Sequence, residues 1–134
     1  MFEALKLNAA DVEAHEEEIR LRVRDLDDAA RKAYYEQFGQ DMKDPDTYAI
    51  LNYFFLAGLH HMYLGDFTRG AINLSVLIAG ISLMLTGFGL LGGLAIGFIV
   101  AVELMALFRS QVVVANHNNL LGERILNARR FQQR

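Results

Sequence analysis

Cysteine and tryptophan are both missing from this 134-residue chain, and proline occurs once, at Pro45. Without cysteine there are no disulfides, thiolate metal sites or cysteine nucleophiles. The first 46 residues hold no apolar run long enough for the core of a cleaved secretion signal. Membrane insertion, if it occurs, is therefore expected to use internal apolar segments. Between Glu3 and Phe38 there is neither glycine nor proline, so nothing obvious interrupts a helix there. No Ser/His/Asp arrangement or clustered metal-ligand spacing stands out, so the sequence offers no enzyme and calls for no cofactor.

Charge is unevenly spread. Residues 1–46 carry thirteen Asp/Glu against seven Lys/Arg, a net of −6. Residues 47–108 contain only Asp66, Arg69 and Glu103. Residues 109–134 carry five arginines (109, 124, 129, 130 and 134) against Glu123, a net of +4. The overall −3 conceals this polarity. An acidic arm argues against binding nucleic acid or anionic lipid through that segment.

The uncharged middle reads as membrane. A spanning helix needs about 20 mostly apolar residues. Tyr48–Leu64 (YAILNYFFLAGLHHMYL) has no Lys, Arg, Asp or Glu, and Ala71–Phe108 has only Glu103. A continuous helix over the latter would be about 57 Å long, nearly twice a bilayer core. Thr86-Gly87-Phe88-Gly89 supplies the break. Three apolar helices are predicted, near 46–64, 70–86 and 90–115. Pro45 after Asp44 suits a helix start, and Gly65–Gly70 a tight polar connection. The expected fold is all-α: an integral membrane protein of two or three short transmembrane helices preceded by an amphipathic soluble helix. The expected domains are an acidic arm (1–44), a membrane domain (45–119) and a basic tail (120–134).

The arginines after Phe108 put the C-terminus in the cytoplasm by the positive-inside rule. Three full crossings would leave the arm outside; if one apolar helix does not cross, both ends lie inside.

Gly89, Gly93, Gly97 and Ala101 recur every four residues, a ladder of small-xxx-small motifs on one helix face. The sequence leaves open whether it packs against an internal helix or a partner subunit. Glu103 lies about 120° around the helix from this stripe. A carboxylate there costs about 2.5–3.5 kcal/mol on insertion scales, so it should face protein or water. It reads either as a proton or cation site or as a structural acceptor for His60, His61, Asn52 or Arg69. Lying six positions from Arg109, about 9 Å along the axis, it favours the structural role. His60 and His61, neighbours about 100° apart on a helix, are not expected to ligate one ion together. A His60/His117 or His61/His117 pair could bind haem axially, but no other feature supports haem.

The segment Gly58-Leu59-His60-His61-Met62-Tyr63-Leu64-Gly65 resembles the signature of the TM2-domain family, roughly G-x-H-[R/H]-[F/M]-Y-L-G. Gly58, His60, Tyr63, Leu64 and Gly65 fit directly. Gly70-Ala71-Ile72-Asn73-Leu74 is similar to the glycine-led helix that follows in the family. Glu103 stands where an acid is expected, and Asn116 or Asn118 resembles a tail asparagine; the usual tryptophans are lacking. The resemblance covers about residues 47–119. It implies short, connected membrane helices and no defined reaction.

In the arm, Asn8 with Asp11 resembles a capping pair. Val12, Ile19, Leu26 and Ala33, with Val23 and Ala30, form a heptad-like stripe predicting a docking helix, a coiled coil or a helix lying on the chain's own membrane domain. The expected function is a non-enzymatic accessory, scaffold or assembly subunit of the bacterial inner membrane. Its expected partners are the bilayer and either other membrane subunits or further copies of itself. The alternative is a small oligomeric transporter or channel with Glu103, His60 and His61 lining a polar path.

Overall fold

The computed structural model describes residues 6–53 and 58–132, and the regular secondary structure there is helical. The chain divides into two compact units. One contains Pro45–Ser110; the other joins Leu7–Asp44 to Gln111–Arg134. The apolar unit ends near residue 110, and the C-terminal segment packs with the arm.

In the second unit, α1 (Ala9–Arg24) starts where Asn8, in extended conformation, accepts a bond from the Ala10 amide at 3.1 Å. The arm is two helices, where the stripe and the lack of Gly and Pro suggested one. The chain leaves α1 at Asp25 and re-enters helix at α2 (Asp28–Asp41). Asp27 caps α2, its carboxylate accepting from the Ala30 amide at 2.8 Å. Aspartates offer backbone amides a local alternative to helix, so they end one helix and begin another without glycine.

The apolar stripe of α1 is real but already covered. Val12, Ile19 and Val23 are buried. Ile19 and Val23 form a core with Tyr34 of α2 and Ile125 and Leu126 of α7 (Ser110–Gln132), flanked by Leu26, Phe38 and Leu121. The docking surface expected on the arm is thus occupied by the chain's own tail. Asn118 fixes the end of the arm in both directions: its oxygen accepts from the Lys43 amide and its NH₂ donates to the Lys43 carbonyl, each at 2.9 Å. Buried Asn119 donates to the Val12 carbonyl at 2.8 Å.

In the first unit, α3 (Pro45–Tyr53) and α4 (Leu59–Tyr63) stand where one helix over 46–64 was predicted. Gly58 interrupts it with φ +68°, a left-handed conformation that an L side chain resists. Residues 54–57 of that predicted helix lie outside the described residues. A Cβ at Gly58 would also meet the Gly70 Cα at 2.8 Å.

α5 (Phe67–Leu85) and α6 (Gly89–Phe108) form an antiparallel hairpin. The predicted break is present, with Gly87 at φ +90°. The helix expected to run to residue 115 ends at Phe108, with Arg109 as its C-cap, and α7 begins at Ser110. The two helices approach closely where Gly80 faces Gly92. A Cβ on Gly80 would strike Ile96 Cγ1 at 2.7 Å, and one on Gly92 would strike the Gly80 carbonyl and Met84.

Both hairpin helices are long and apolar enough to cross a membrane. Only 17 % of the most apolar stretch of each is buried within the protein, whereas the core helix of a soluble domain is mostly buried. Ile78, Leu85, Leu90, Leu94, Phe98 and Phe108 lie exposed.

Candidate functional site

The polar residues of the apolar unit converge on Glu103, on the last turns of α6. Glu103 is buried, as are Asn52 of α3, His60 of α4 and Asn73 of α5. Each comes from a different helix, so the cluster ties together α3, α4, α5 and α6. Asp66 caps α5 by accepting from the Arg69 amide at 3.1 Å and pairs with Arg69 Nε at 2.7 Å. That cap fixes the start of α5, and Asn73 lies two turns further along.

Around the carboxylate, His60 Nε2 approaches Oε2 at 2.7 Å and His61 Nε2 approaches Oε1 at 3.4 Å. Asn73 Nδ2 donates to Oε1. Asn52 Nδ2 donates to the Glu103 backbone carbonyl at 3.0 Å. The imidazole of His60 meets the ring of buried Tyr48 edge-on, with centroids 5.3 Å apart. His60 and His61 sit close, with ring centroids at 4.1 Å. Although they are neighbours on α4, both Nε2 atoms reach the one carboxylate, where divergence was expected.

Contact distance and hydrogen bonding diverge at one point. His60 Nε2 and Glu103 Oε2 are close enough for an ion pair, yet neither has a hydrogen-bond partner among the described residues; nor does Asn52 Oδ1. The approach is therefore an electrostatic contact of poor directionality. A cavity of about 20 Å³ adjoins it, lined by Gly58, His60, Asn73, Ile99 and Glu103 among others. That is room for one water.

Of the residues singled out in the sequence, Gly58, His60 and Glu103 are brought together. Tyr63 and Gly65 close α4, with Gly65 turning at φ +82°. Arg69 pairs with Asp66, and the Glu103 carboxylate meets both histidines and Asn73. His117 belongs to the other unit. Gly89, Gly93, Gly97 and Ala101 are all exposed, and a Cβ at any of the three glycines meets nothing within 4 Å. Within the chain the hairpin packs through Gly92 instead. Asn73 was not foreseen as a partner of Glu103. Its signal was available, as an amide six residues inside an apolar helix needs a buried partner.

Compared with protein families, characterised proteins and solved structures, the chain shows no significant match.

Proposed function

We propose that this is a two-span protein of the bacterial inner membrane, acting without chemistry of its own as an accessory or scaffold subunit through helix–helix contacts. The carrying observation is that Leu7–Asp44 and Gln111–Arg134 fold into one unit although the apolar hairpin separates them in sequence. Segments that pack together lie on the same side of a bilayer, which requires an even number of crossings. The α5–α6 hairpin supplies two. The arginines at 109, 124, 129, 130 and 134 then assign both flanks to the cytoplasm. The interrupted α3–α4 segment is too short in either piece to cross.

The contact surface in this reading is the stripe Gly89, Gly93, Gly97 and Ala101, left uncovered by the chain itself. In lipid, apolar area gives helices no reason to associate, whereas small residues permit close backbone approach. The TM2-type resemblance at Gly58, His60, Tyr63 and Gly65 agrees with a compact multi-pass unit. A transporter path through Glu103, His60 and His61 is less well supported, since these groups contact one another beside a cavity of about 20 Å³.

Because the chain has no cysteine, single-cysteine variants test both statements. Cysteines at residues 10 and 128 should both be labelled from the cytoplasmic face only. Cysteine at 93 or 97 should cross-link to a neighbouring helix in native membranes, and cysteine at Ile78 should not. Opposite labelling of the two flanks, or equal cross-linking at all three sites, would defeat the reading.

A further inference from the structure

We infer that His60, His61 and Glu103 form a binding site for one divalent first-row transition-metal ion, with Zn²⁺ as its reference occupant. One ligand atom from each of the three residues lies within 4.8 Å of the other two. Two imidazoles and a carboxylate are a donor set used for zinc and for iron or manganese, and the lack of thiolates disfavours Cu(I).

Four observations support an ion here over a purely hydrogen-bonded cluster. First, His60 Nε2 and Glu103 Oε2 lie 2.7 Å apart, buried, without hydrogen-bond partners among the described residues. An ion satisfies both atoms at once; an N–H···O bond satisfies them only with an alignment this pair lacks. Second, the carboxylate is already held. Asn73 donates to Oε1 and Asn52 to the Glu103 backbone carbonyl, the kind of outer support that orients metal ligands. Third, the adjoining cavity of about 20 Å³ touches His60 and Glu103 and has room for a water as fourth ligand. Fourth, the cluster is closed but reachable: the side chains of His60 and Glu103 are 3 % and 6 % exposed, while that of His61 is 15 % exposed. Tetrahedral ligands that each stand about 2.0–2.2 Å from one ion are about 3.3–3.6 Å apart. The 3.4 Å approach of His61 already has that spacing, and the 2.7 Å approach of His60 widens as an ion enters between the two atoms.

The test uses the full chain without a polyhistidine tag, purified in detergent and stripped with EDTA. Co²⁺ is titrated against visible d–d absorption, and Zn²⁺ is then added. One Co²⁺ per chain should bind and be displaced by Zn²⁺. His61→Gln should weaken binding by at least about 100-fold, beyond what loss of outer support alone produces. Glu103→Gln should do the same, while His117→Gln should leave binding intact. His61 is the least buried ligand, so its variant retains the fold and decides the matter even if Glu103→Gln does not fold. Failure of the folded wild-type chain to take up Co²⁺ saturably, or uptake unchanged in His61→Gln, overturns the site.

Discussion

Gly80 of α5 and Gly92 of α6 face each other across the hairpin, where a Cβ on Gly92 would collide with the Gly80 carbonyl. Backbones that approach this closely leave no room for a side chain on either helix. Gly92→Leu should therefore destabilise the hairpin by about 3 kcal/mol or more, the upper end of overpacking costs. Gly93→Leu, one residue on, should leave thermal stability in detergent unchanged, because nothing stands within 4 Å of its Cβ position. Thermal melts of the two variants side by side make the comparison. If Gly93→Leu is the more damaging, the helix faces are assigned wrongly.

The contrast between Gly92 and Gly93 also marks what the sequence could convey. A four-residue repeat of small residues reveals a face but not which way it turns. In a lipid-exposed helix, hydrophobicity does not separate inside from outside. Gly80 and Gly92 belong to no such ladder, so the true internal contact carried no pattern. The break at Gly87 was legible because a helix spanning both apolar segments would be far too long for a bilayer. The arm's break at Asp25–Asp27 was hidden, since aspartates fit an exposed helix face as well as a cap. At the site, the pairing of Glu103 with His60 or His61 followed from the cost of a lone acid in an apolar helix. The convergence of both histidines on one carboxylate, and the part played by Asn73, required three-dimensional proximity.

Glu103 holds four helices in one place, and its removal should be felt accordingly. Glu103→Ala leaves Asn73 without its acceptor and two imidazoles without their carboxylate neighbour, and opens a cavity, at a cost of about 3–5 kcal/mol. Asn73→Ala removes one donor, at a cost of about 1–3 kcal/mol. The double variant should cost less than the sum, because both changes break the same contact. Additive losses in chemical unfolding would mean that the two side chains act independently.

His117 gives the unit formed by the arm and α7 a response to acid. Burial holds its pKa below the ordinary 6.5, and the charges of Arg124 and Lys43 add to the effect. The unfolded chain therefore binds a proton at higher pH than the folded one. The folded unit has its full stability above about 6.5 and loses it as pH falls from there toward the folded-state value. His117→Gln should remove this part of the pH dependence. Unfolding midpoints measured from pH 7.5 to 5 for both chains should diverge on the acid side; parallel curves would assign the acid sensitivity elsewhere.

Gly122 tests the packing of α7 on the arm. It is buried in a helix, where alanine would ordinarily stabilise by about 1 kcal/mol through propensity. Here an added Cβ would meet Tyr34 Oη at 2.6 Å and Ile19 Cγ2 at 3.3 Å. The hydroxyl contact is too close to keep, and Tyr34 is itself buried in the core, stacked against Phe38. Gly122→Ala should therefore be neutral to destabilising, by up to about 2 kcal/mol, despite its better helix propensity. Removing the obstructing oxygen should reverse the sign. In a Tyr34→Phe background the same change should regain most of the propensity benefit, since the remaining contact asks Ile19 to yield by only a few tenths of an ångström. A double-mutant cycle by thermal unfolding reads this coupling directly. If Gly122→Ala stabilises equally with and without the tyrosine hydroxyl, α7 does not pack on the arm through this contact.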